Sequence, residues 1–217
     1  MTTQADDKYT RALRTPPPPK MSETVVDGEV VKKYKMQDIS LAQKLYNRIG
    51  LVGYNLLITY IPSHTIRLAW LRLFGAKIGK GSTVLRGTTV FDLPYLTIGE
   101  NSNVSFRCVL DARAGILIGD NVVIASDTHL LGGGHDINDP DFLPLPKPMI
   151  IEDYAWIGTR ALLLPCRVGR GGVVAAQSMV NKDVGELEVV GGNPAKPFAT
   201  RNPDALRYSG RYRPLFY

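Results

Sequence analysis

An aliphatic side chain recurs at every sixth position over much of this chain, and this spacing most restricts how the chain can fold. The repeats run in blocks, and the register shifts where one block ends and the next begins. The aliphatic positions are Ile78, Val84, Val90 and Leu96; Ile98, Val104, Leu110 and Ile116; Ile118, Ile124 and Leu130; Ile151, Ile157 and Leu163; and Val168, Val174 and Val180. Neither the period of a helix nor the alternation of a single strand accounts for a period of six.

A period of six predicts a parallel β-helix, in which each repeat supplies one short strand and one corner of a triangular coil. The aliphatic side chain points into the coil and stacks on its counterpart in the next turn. The side chain four positions later is mostly small, as at Ser82, Ser102 and Cys108, which leaves room where the corner tightens. Because such a coil buries its core only by stacking, both of its ends need caps.

The segments outside the repeats differ sharply in composition. Residues 1–38 are polar and contain the run RTPPPPK, so we expect a flexible arm with a short polyproline II rod. Residues 39–74 are rich in Leu, Ile and aromatic residues, and Pro62 divides them into a helical hairpin that can cap the coil. We expect the β-helix to span residues 75–201 and a C-terminal tail to follow at 202–217.

The hairpin at 39–74 has a second interpretation, as a surface that contacts a membrane. Its uncharged run before Pro62, 49–61, is too short to cross a hydrocarbon layer of about 30 Å. Its basic and aromatic residues nevertheless suit the headgroup region of an anionic bilayer. These residues are Lys44, Arg48, Arg67 and Arg72, with Tyr46, Tyr54, Tyr60 and Trp70.

Charge and cysteine content narrow the possible partners and the cellular location. The chain has 26 Lys and Arg against 20 Asp and Glu, which gives a net charge of +6. The chain contains no basic run interleaved with aromatic residues, which is the pattern that would predict nucleic-acid binding. The two cysteines form no disulfide framework, and the polar start MTTQADDKYT is no secretory signal. We therefore expect a cytoplasmic protein, with peripheral contact to the inner face of the membrane as the alternative.

The six-residue period is suspended between Leu130 and Ile151, so residues 131–150 must leave the coil as a protruding loop. Three glycines, Gly132–Gly134, allow positive backbone φ and close approach to a neighbouring segment. They are followed by His135, an imidazole placed near the end of this loop.

The repeats, the stretches IEDYAWIGTRALLLP and GGNPAKP, and the loop GGGHDINDPDF resemble the hexapeptide-repeat acyltransferases. The resemblance runs from about residue 75 to 201 and is greatest to the sugar O-acetyltransferases of capsule, exopolysaccharide and cell-wall glycans. It implies a left-handed coil, although parallel crossovers generally favour the right hand. It also implies a homotrimer in which the donor, acetyl-coenzyme A, lies between neighbouring coils.

The loop histidine of this family is the catalytic base, and His135 occupies the matching position. A hydroxyl group becomes a good nucleophile when a base removes its proton, and imidazole suits that role near neutral pH. Two other histidines are weaker candidates, because His64 follows Pro62 in the helical hairpin and His129 stands at the root of the loop. Transfer within a ternary complex needs no thiol nucleophile.

The resemblance also suggests residues that contact the donor. Lys182 and Lys196 can pair with phosphate groups, and small residues let the pantetheine arm lie against the coil. One departure from the family is LLLPCRVG, which is a residue shorter than the usual step and could reshape this groove. The donor candidates are Trp156, Thr159, Ala176, Asn181, Lys182 and Lys196.

The acceptor site is less well marked in the sequence. Many sugar acetyltransferases of the family carry NFN about thirty residues before the histidine, where this chain has SFR. Further polar residues follow in the same repeat and in the loop. The acceptor candidates are Ser105, Arg107, Asp111, Arg113, Asp136 and Asn138; the sugar itself, and whether a lipid carries it, stay open.

Three other functions remain alternatives to O-acetylation of a sugar. They are N-acetylation of an amino sugar, a metalloenzyme similar to the γ-class carbonic anhydrases, and a β-helix scaffold without activity. A metal site would need a third ligand beside His129 and His135, and none is evident at zinc spacing. We therefore expect no metal.

Overall fold

A computed structural model describes residues 7–35 and 39–217. Before the coil, the described chain forms a short helix, a pair of strands and two longer helices. These are α1 (Lys8–Ala12), β1 (Lys20–Val26), β2 (Glu29–Lys35), α2 (Leu41–Leu56) and α3 (His64–Leu73), with a 3-10 turn at Ile58–Tyr60. No helix in the described ranges is long and apolar enough to cross a bilayer.

The main body is a parallel β-helix, as the six-residue period predicts, with five complete turns of three short strands each. The strands from here on, in chain order, are β3 (Lys77–Ile78), β4 (Thr83–Val84), β5 (Thr89–Phe91), β6 (Leu96–Ile98), β7 (Asn103–Val104), β8 (Val109–Asp111), β9 (Ile116–Ile118), β10 (Val123–Ile124), β11 (His129–Leu130), β12 (Gly133–His135), β13 (Pro144–Pro146), β14 (Met149–Ile151), β15 (Trp156–Ile157), β16 (Leu162–Leu163), β17 (Arg167–Val168), β18 (Val173–Val174), β19 (Met179–Val180), β20 (Glu188–Gly192) and β21 (Ala195–Thr200). Strands β12 and β13 form a hairpin outside the coil.

Strands of successive turns pair in parallel and build three faces. Face one contains β3, β6, β9, β14 and β17, and face three contains β5, β8, β11, β16 and β19. Face two contains β4, β7, β10, β15, β18 and β20, and β21 pairs antiparallel with β20 at its edge. The position of a residue within the six-residue period therefore decides which face or corner it occupies.

The aliphatic residues of the period stack inside the coil. On face two, Val84, Val104, Ile124, Ile157 and Val174 occupy the same position in five successive turns, and all are fully buried. Burial of one such side chain contributes roughly 1.5–3 kcal/mol. A single turn has no core of its own, so this stabilisation depends on the turns above and below.

The small residues of the period have a further role in joining the turns. The Ser82 hydroxyl donates a hydrogen bond to the Gly99 carbonyl at 2.6 Å, and the Ser102 hydroxyl donates to the Gly119 carbonyl at 2.7 Å. Both serines are buried. Each hydroxyl thus satisfies a carbonyl at a corner, where no strand partner is available.

Helices α2 and α3 pack against the first turn and extend its core. Tyr54, Leu68, Leu71 and Phe74 belong to the same hydrophobic cluster as the interior of the coil. Arg67 is also fully buried and donates to the Val84 carbonyl at 3.0 Å. This packing turns two residues that we expected at a membrane surface, Tyr54 and Arg67, toward the protein.

The segment after β21 runs back along the coil toward this cap. The Tyr208 hydroxyl donates to the Tyr154 carbonyl at 3.0 Å, beside the fourth turn, and Thr83 in the first turn donates to the Tyr212 carbonyl at 3.0 Å. His64 hydrogen-bonds to a further carbonyl of this segment at 2.8 Å and is largely buried. His64 is thus a packing residue of the cap.

Parts of the N-terminal segment, for which composition predicts a flexible arm, form regular elements. Residues 1–6 and 36–38 lie outside the described residues, but the rest contains α1 and the antiparallel pair β1–β2. Tyr9 is buried against Leu117 and Ile150 on face one. Tyr9 thus docks a segment of polar overall composition on an apolar site of the coil, and Lys8 adds a hydrogen bond to the Asp153 carboxylate at 2.6 Å.

Candidate active site

The loop that carries His135 is an antiparallel hairpin at the corner between faces three and one. The chain leaves face three after β11 and returns to face one at β14, and β12 pairs with β13 in between. In this pairing His135 lies opposite Pro144. The hairpin is therefore a defined structure that holds the imidazole outside the coil.

Two of the three glycines before His135 are required by the backbone geometry. A β-carbon at Gly132 would lie 2.5 Å from the Asp111 carbonyl oxygen, which is too close for any other residue. Gly133 has a φ of +144°, and its β-carbon would lie 2.6 Å from the Leu145 carbonyl oxygen. Gly134 has open space around it, so Gly132 lets the hairpin approach the coil and Gly133 lets the two hairpin strands approach each other.

The His135 side chain is held by one residue, Phe142. Nδ1 of His135 lies 2.8 Å from the Phe142 carbonyl oxygen, and the two rings stack with their centroids 4.3 Å apart and 6° between their planes. A carbonyl oxygen only accepts hydrogen bonds, so Nδ1 carries the proton in neutral imidazole and Nε2 has the free lone pair. This is the tautomer that a general base needs.

Sequence reasoning did not find Phe142. Its side chain lies seven positions after His135, in the PDF that ends the loop motif, and no periodicity marks it. Its φ of +48° is unusual for a residue other than glycine. The turn of the hairpin, which includes a bond from the Phe142 amide to the Asp139 carbonyl, brings it back over the imidazole.

Asp111 and Arg113 form an ion pair at the same corner, one turn below the hairpin. The guanidinium donates to both carboxylate oxygens, at 2.8 Å from Nε and 2.7 Å from Nη2. Burial raises the pKa of Asp111, but hydrogen bonds and charge from Arg113 outweigh this effect and leave it below the ordinary value. The carboxylate is thus charged and already paired.

Arg113 and His135 line one pocket of about 190 Å³. The glycines of β12 and two prolines of β13 form other parts of its surface. Pro16, Pro17 and Pro19 of the N-terminal segment also line it. The pocket therefore joins the hairpin, the coil and a distant part of the chain.

The acceptor candidates do not all meet at this pocket. Ser105 and Arg107 lie at the corner between faces two and three, where Arg107 pairs with Asp127 at 2.7 Å. Asp136 and Asn138 lie beyond β12 in the turn of the hairpin, where the Asp136 side chain accepts from the Asn138 amide at 3.0 Å. Of the six candidates, Asp111 and Arg113 share a corner of the coil with His135.

Three donor candidates lie on or beside face two. Trp156 is half exposed on β15. Thr159 and Ala176 are exposed at the corner between faces two and three, in consecutive turns. The three form an open strip that a long, narrow ligand could follow.

The other donor candidates lie near the C-terminal end of the coil. Asn181 and Lys182 follow β19 and line a pocket of about 170 Å³. Ala195 and Pro197, the neighbours of Lys196 on β21, line the same pocket. Lys182 lines this cavity, whereas Lys196 lies between two lining residues and does not line it itself.

The surroundings of the two cysteines do not favour a nucleophile, and those of His129 do not favour a metal ligand. Burial raises the pKa of both Cys108 and Cys166 to about 12, which disfavours the thiolate. His129 is exposed on β11. Within residues 7–35 and 39–217, no group of three or more His, Cys, Asp and Glu side chains is arranged to hold a metal ion.

Comparison with known proteins finds relatives in sequence and in fold. The chain is 36% identical over 127 residues to WcaF of Escherichia coli (strain K12), which is assigned to colanic acid biosynthesis as an acetyltransferase; the match covers 58% of this chain and 69% of WcaF. It superposes with a TM-score of 0.69 on the hexapeptide-repeat acetyltransferase VCA0836 from Vibrio cholerae, at 26% identity, over 75% of this chain and 94% of the other. A complex of that enzyme with acetyl-coenzyme A gives a TM-score of 0.68 at 25% identity, over 77% and 93% of the two chains. No protein-family model matches the chain.

Fold and relatives together define the class of protein, an acetyltransferase built on a parallel β-helix. The chain belongs to the hexapeptide-repeat acetyltransferase family.

Proposed function

We propose that this acetyltransferase transfers the acetyl group of acetyl-coenzyme A to a hydroxyl group of a sugar or glycan precursor, with His135 as the general base. The observation that carries the proposal is the hydrogen bonding and position of the His135 imidazole. Its Nδ1 is engaged by the Phe142 carbonyl, which leaves Nε2 free to accept a proton beside a pocket. A relative assigned to the biosynthesis of an exopolysaccharide, colanic acid, supports a sugar as the acceptor.

The chemistry is direct transfer within a ternary complex. Nε2 of His135 removes the hydroxyl proton while the acceptor oxygen attacks the thioester carbonyl. The carbon–sulfur bond then breaks, and the thiolate of coenzyme A leaves and takes up the proton. The high pKa of both buried cysteines supports a route without an acyl-enzyme intermediate.

The positions of the donor candidates support a site shared between copies of the chain. Thr159 and Ala176 lie at one edge of face three, and Asn181 and Lys182 lie at its other edge. In a homotrimer, the first edge of one coil and the second edge of its neighbour can bind one molecule of acetyl-coenzyme A from two sides. Lys182 and Lys196 then meet its phosphate groups.

The outer side of α2 supports the proposal that the enzyme binds to an anionic membrane surface. Leu41, Leu45, Ile49, Val52 and Leu56 are all exposed. Their spacing of four, four, three and four residues puts them on one stripe of the helix. The helix contains no acidic residue, and its two basic residues are also exposed. Helices with an apolar stripe and basic flanks lie in the headgroup region of bilayers.

Replacement of one histidine tests the proposed base, and a second histidine provides the matched control. We expect His135→Ala to lower kcat by about 100-fold or more, with the KM for acetyl-coenzyme A nearly unchanged. His129→Ala, at the exposed root of the same loop, should behave like the wild type. The assay follows thiol release with matched hydroxyl and amino sugars.

Two results would contradict the proposal. A His135→Ala enzyme with near-normal turnover would remove the base. A strong preference for the amino group over the hydroxyl group of matched sugars would favour N-acetylation instead.

A further inference from the structure

The pocket beside His135 has a wall that is built by neither the coil nor the loop. Pro16, Pro17 and Pro19 line this pocket together with His135 and Arg113. These prolines precede His135 by more than a hundred residues. Their place at the pocket thus depends on how the N-terminal segment is attached.

Strong contacts attach the N-terminal segment immediately before the prolines. Lys8 in α1 donates a hydrogen bond to the Asp153 carboxylate of the coil at 2.6 Å. Tyr9 is buried on face one, and Arg14 donates to the Gly75 carbonyl at 2.7 Å. The chain thus enters the proline run from a fixed position on the coil.

Two further contacts fix the path of the segment around the prolines. A β-carbon at Gly115 would lie 2.5 Å from the Arg14 carbonyl oxygen, so the backbone of the segment rests directly on the corner next to the pocket. After the prolines, the Lys32 amide of β2 donates to the Asp141 side chain in the hairpin turn, at 2.9 Å. The proline run is held on both sides.

The proline run itself is stiff and has a defined inner side. Successive prolines favour the polyproline II conformation, which has three residues per turn. Pro16 and Pro19 are one turn apart and half-buried, whereas Pro17 and Pro18 are exposed. Pro16 and Pro19 therefore face the protein together, and Pro18 does not line the pocket.

The chemistry of the pocket favours an uncharged, flat ligand with hydroxyl groups. Proline rings provide apolar walls on which the C–H faces of a pyranose can pack. Arg113 is paired with Asp111, so its charge is compensated, but the guanidinium retains further N–H donors for hydroxyl oxygens. A volume of about 190 Å³ is below the roughly 300–1,000 Å³ typical of drug-sized ligands, and suits one ring rather than an oligosaccharide.

We propose that Pro16 and Pro19 form one wall of the acceptor subsite, and that this subsite takes a single uncharged pyranose ring with its reacting hydroxyl toward His135. The inference rests on the proposed sugar acetylation and adds to it the part of the chain that selects the acceptor. The N-terminal segment is thereby a specificity element for the reaction.

Binding and turnover of simple glycosides test this subsite in the full-length protein. Methyl β-glucopyranoside and methyl β-glucuronide share one ring and differ in charge, so they serve as probes. Their affinities are measured by saturation-transfer NMR titration, and turnover is measured by thiol release. The test variant is Pro16→Ala/Pro19→Ala, and Pro18→Ala is the matched control from the exposed side of the run.

We expect the double variant to bind the neutral glycoside about 10-fold more weakly, because two apolar rings leave the wall. Pro18→Ala should change its affinity by no more than about twofold. The wild type should bind the glucuronide more weakly than the glucoside. Circular dichroism and the KM for acetyl-coenzyme A should match the wild type in both variants.

Three results would overturn the subsite: no binding of the neutral glycoside, equal binding by the double variant and the control, or tighter binding of the glucuronide. Failure of the proposed function looks different. In that case the glycoside binds in a proline-dependent way, but His135→Ala still acetylates it at the wild-type rate.

Discussion

Replacement of Phe142 by Ala isolates the contribution of the ring that stacks on His135. The Phe142 carbonyl still accepts the hydrogen bond from Nδ1, because the backbone is retained. Ala has a β-carbon like Phe, so the cost of the positive φ is similar in both proteins. The substitution therefore removes the stack and leaves the proton on Nδ1.

The expected effect follows from the geometry of the stack. Aromatic pairs of this kind contribute about 0.5–1.5 kcal/mol. His135 is exposed, so we expect the lower part of this range, about 0.5–1 kcal/mol. If this energy holds the imidazole in its productive orientation, its loss lowers kcat about two- to fivefold.

Steady-state kinetics of thiol release measures this effect, with Phe142→Tyr as the control that keeps the ring. Phe142→Ala should lower kcat while the KM for acetyl-coenzyme A stays constant, and Phe142→Tyr should retain the wild-type kcat. The reasoning is refuted if Phe142→Ala keeps the full kcat, or if both variants lose activity equally.

Other predictions concern stability, location and assembly. The pKa of Asp7 is lowered from 3.8 to about 2, mainly because the Thr10 amide donates a hydrogen bond to its carboxylate. Burial acts in the opposite direction, and the Arg167 guanidinium lowers the pKa further. A lowered carboxylate pKa stabilises the fold above about pH 4. Urea melts of the wild type and of Asp7→Asn measure the difference between their unfolding free energies. The wild type should therefore be more stable by the largest margin above about pH 4, and this difference should disappear as the pH falls toward 2. In liposome flotation, the Leu45→Gln/Ile49→Gln variant should lose binding to anionic vesicles. The control Val25→Gln/Val30→Gln, which changes exposed residues of β1 and β2, should retain it. If both variants bind equally, the exposed stripe of α2 is a contact between proteins instead. Sedimentation equilibrium should give three times the chain mass of 23.9 kDa, and a monomer would exclude the shared donor site.

The coil could be predicted from the sequence because its contacts repeat. Residues such as Ser82 and Ser102 meet across one turn, which is about 20 residues of chain, and every turn imposes the same demand for an aliphatic and a small side chain. The suspended period likewise predicted that residues 131–150 leave the coil; in the structure the coil resumes at Met149, where β14 begins. A slip of two residues, as between Leu96 and Ile98, fits within the coil, but an interruption as long as 131–150 does not and must lie outside it.

The suspended period placed His135 in a loop and the family resemblance gave it the role of base, but neither predicted its surroundings. Phe142 lies in the turn of the hairpin, and its role depends on a backbone conformation that no local pattern marks. Ser105 and Arg107 are acceptor candidates because they stand where many relatives carry NFN, and the other four because they are polar and lie in the same repeat or in the loop. The structure separates Ser105 and Arg107 from His135, because they fall at the corner between faces two and three of the second turn, whereas the hairpin leaves the third turn at the corner between faces three and one.

The segments outside the repeats show most clearly what the sequence determined and what tertiary structure decided. Composition indicated that residues 39–74 pack on the coil, but only the packing of α2 and α3 turned Tyr54 inward and left Leu45 exposed. The run of prolines predicted a rod, but only the docking of Tyr9 on face one brought Pro16 to the pocket of His135. Repeating contacts leave a period in the sequence, because each turn solves the same packing problem. A segment that docks once depends on complementary surfaces from distant parts of the chain, and such complementarity has no period to read.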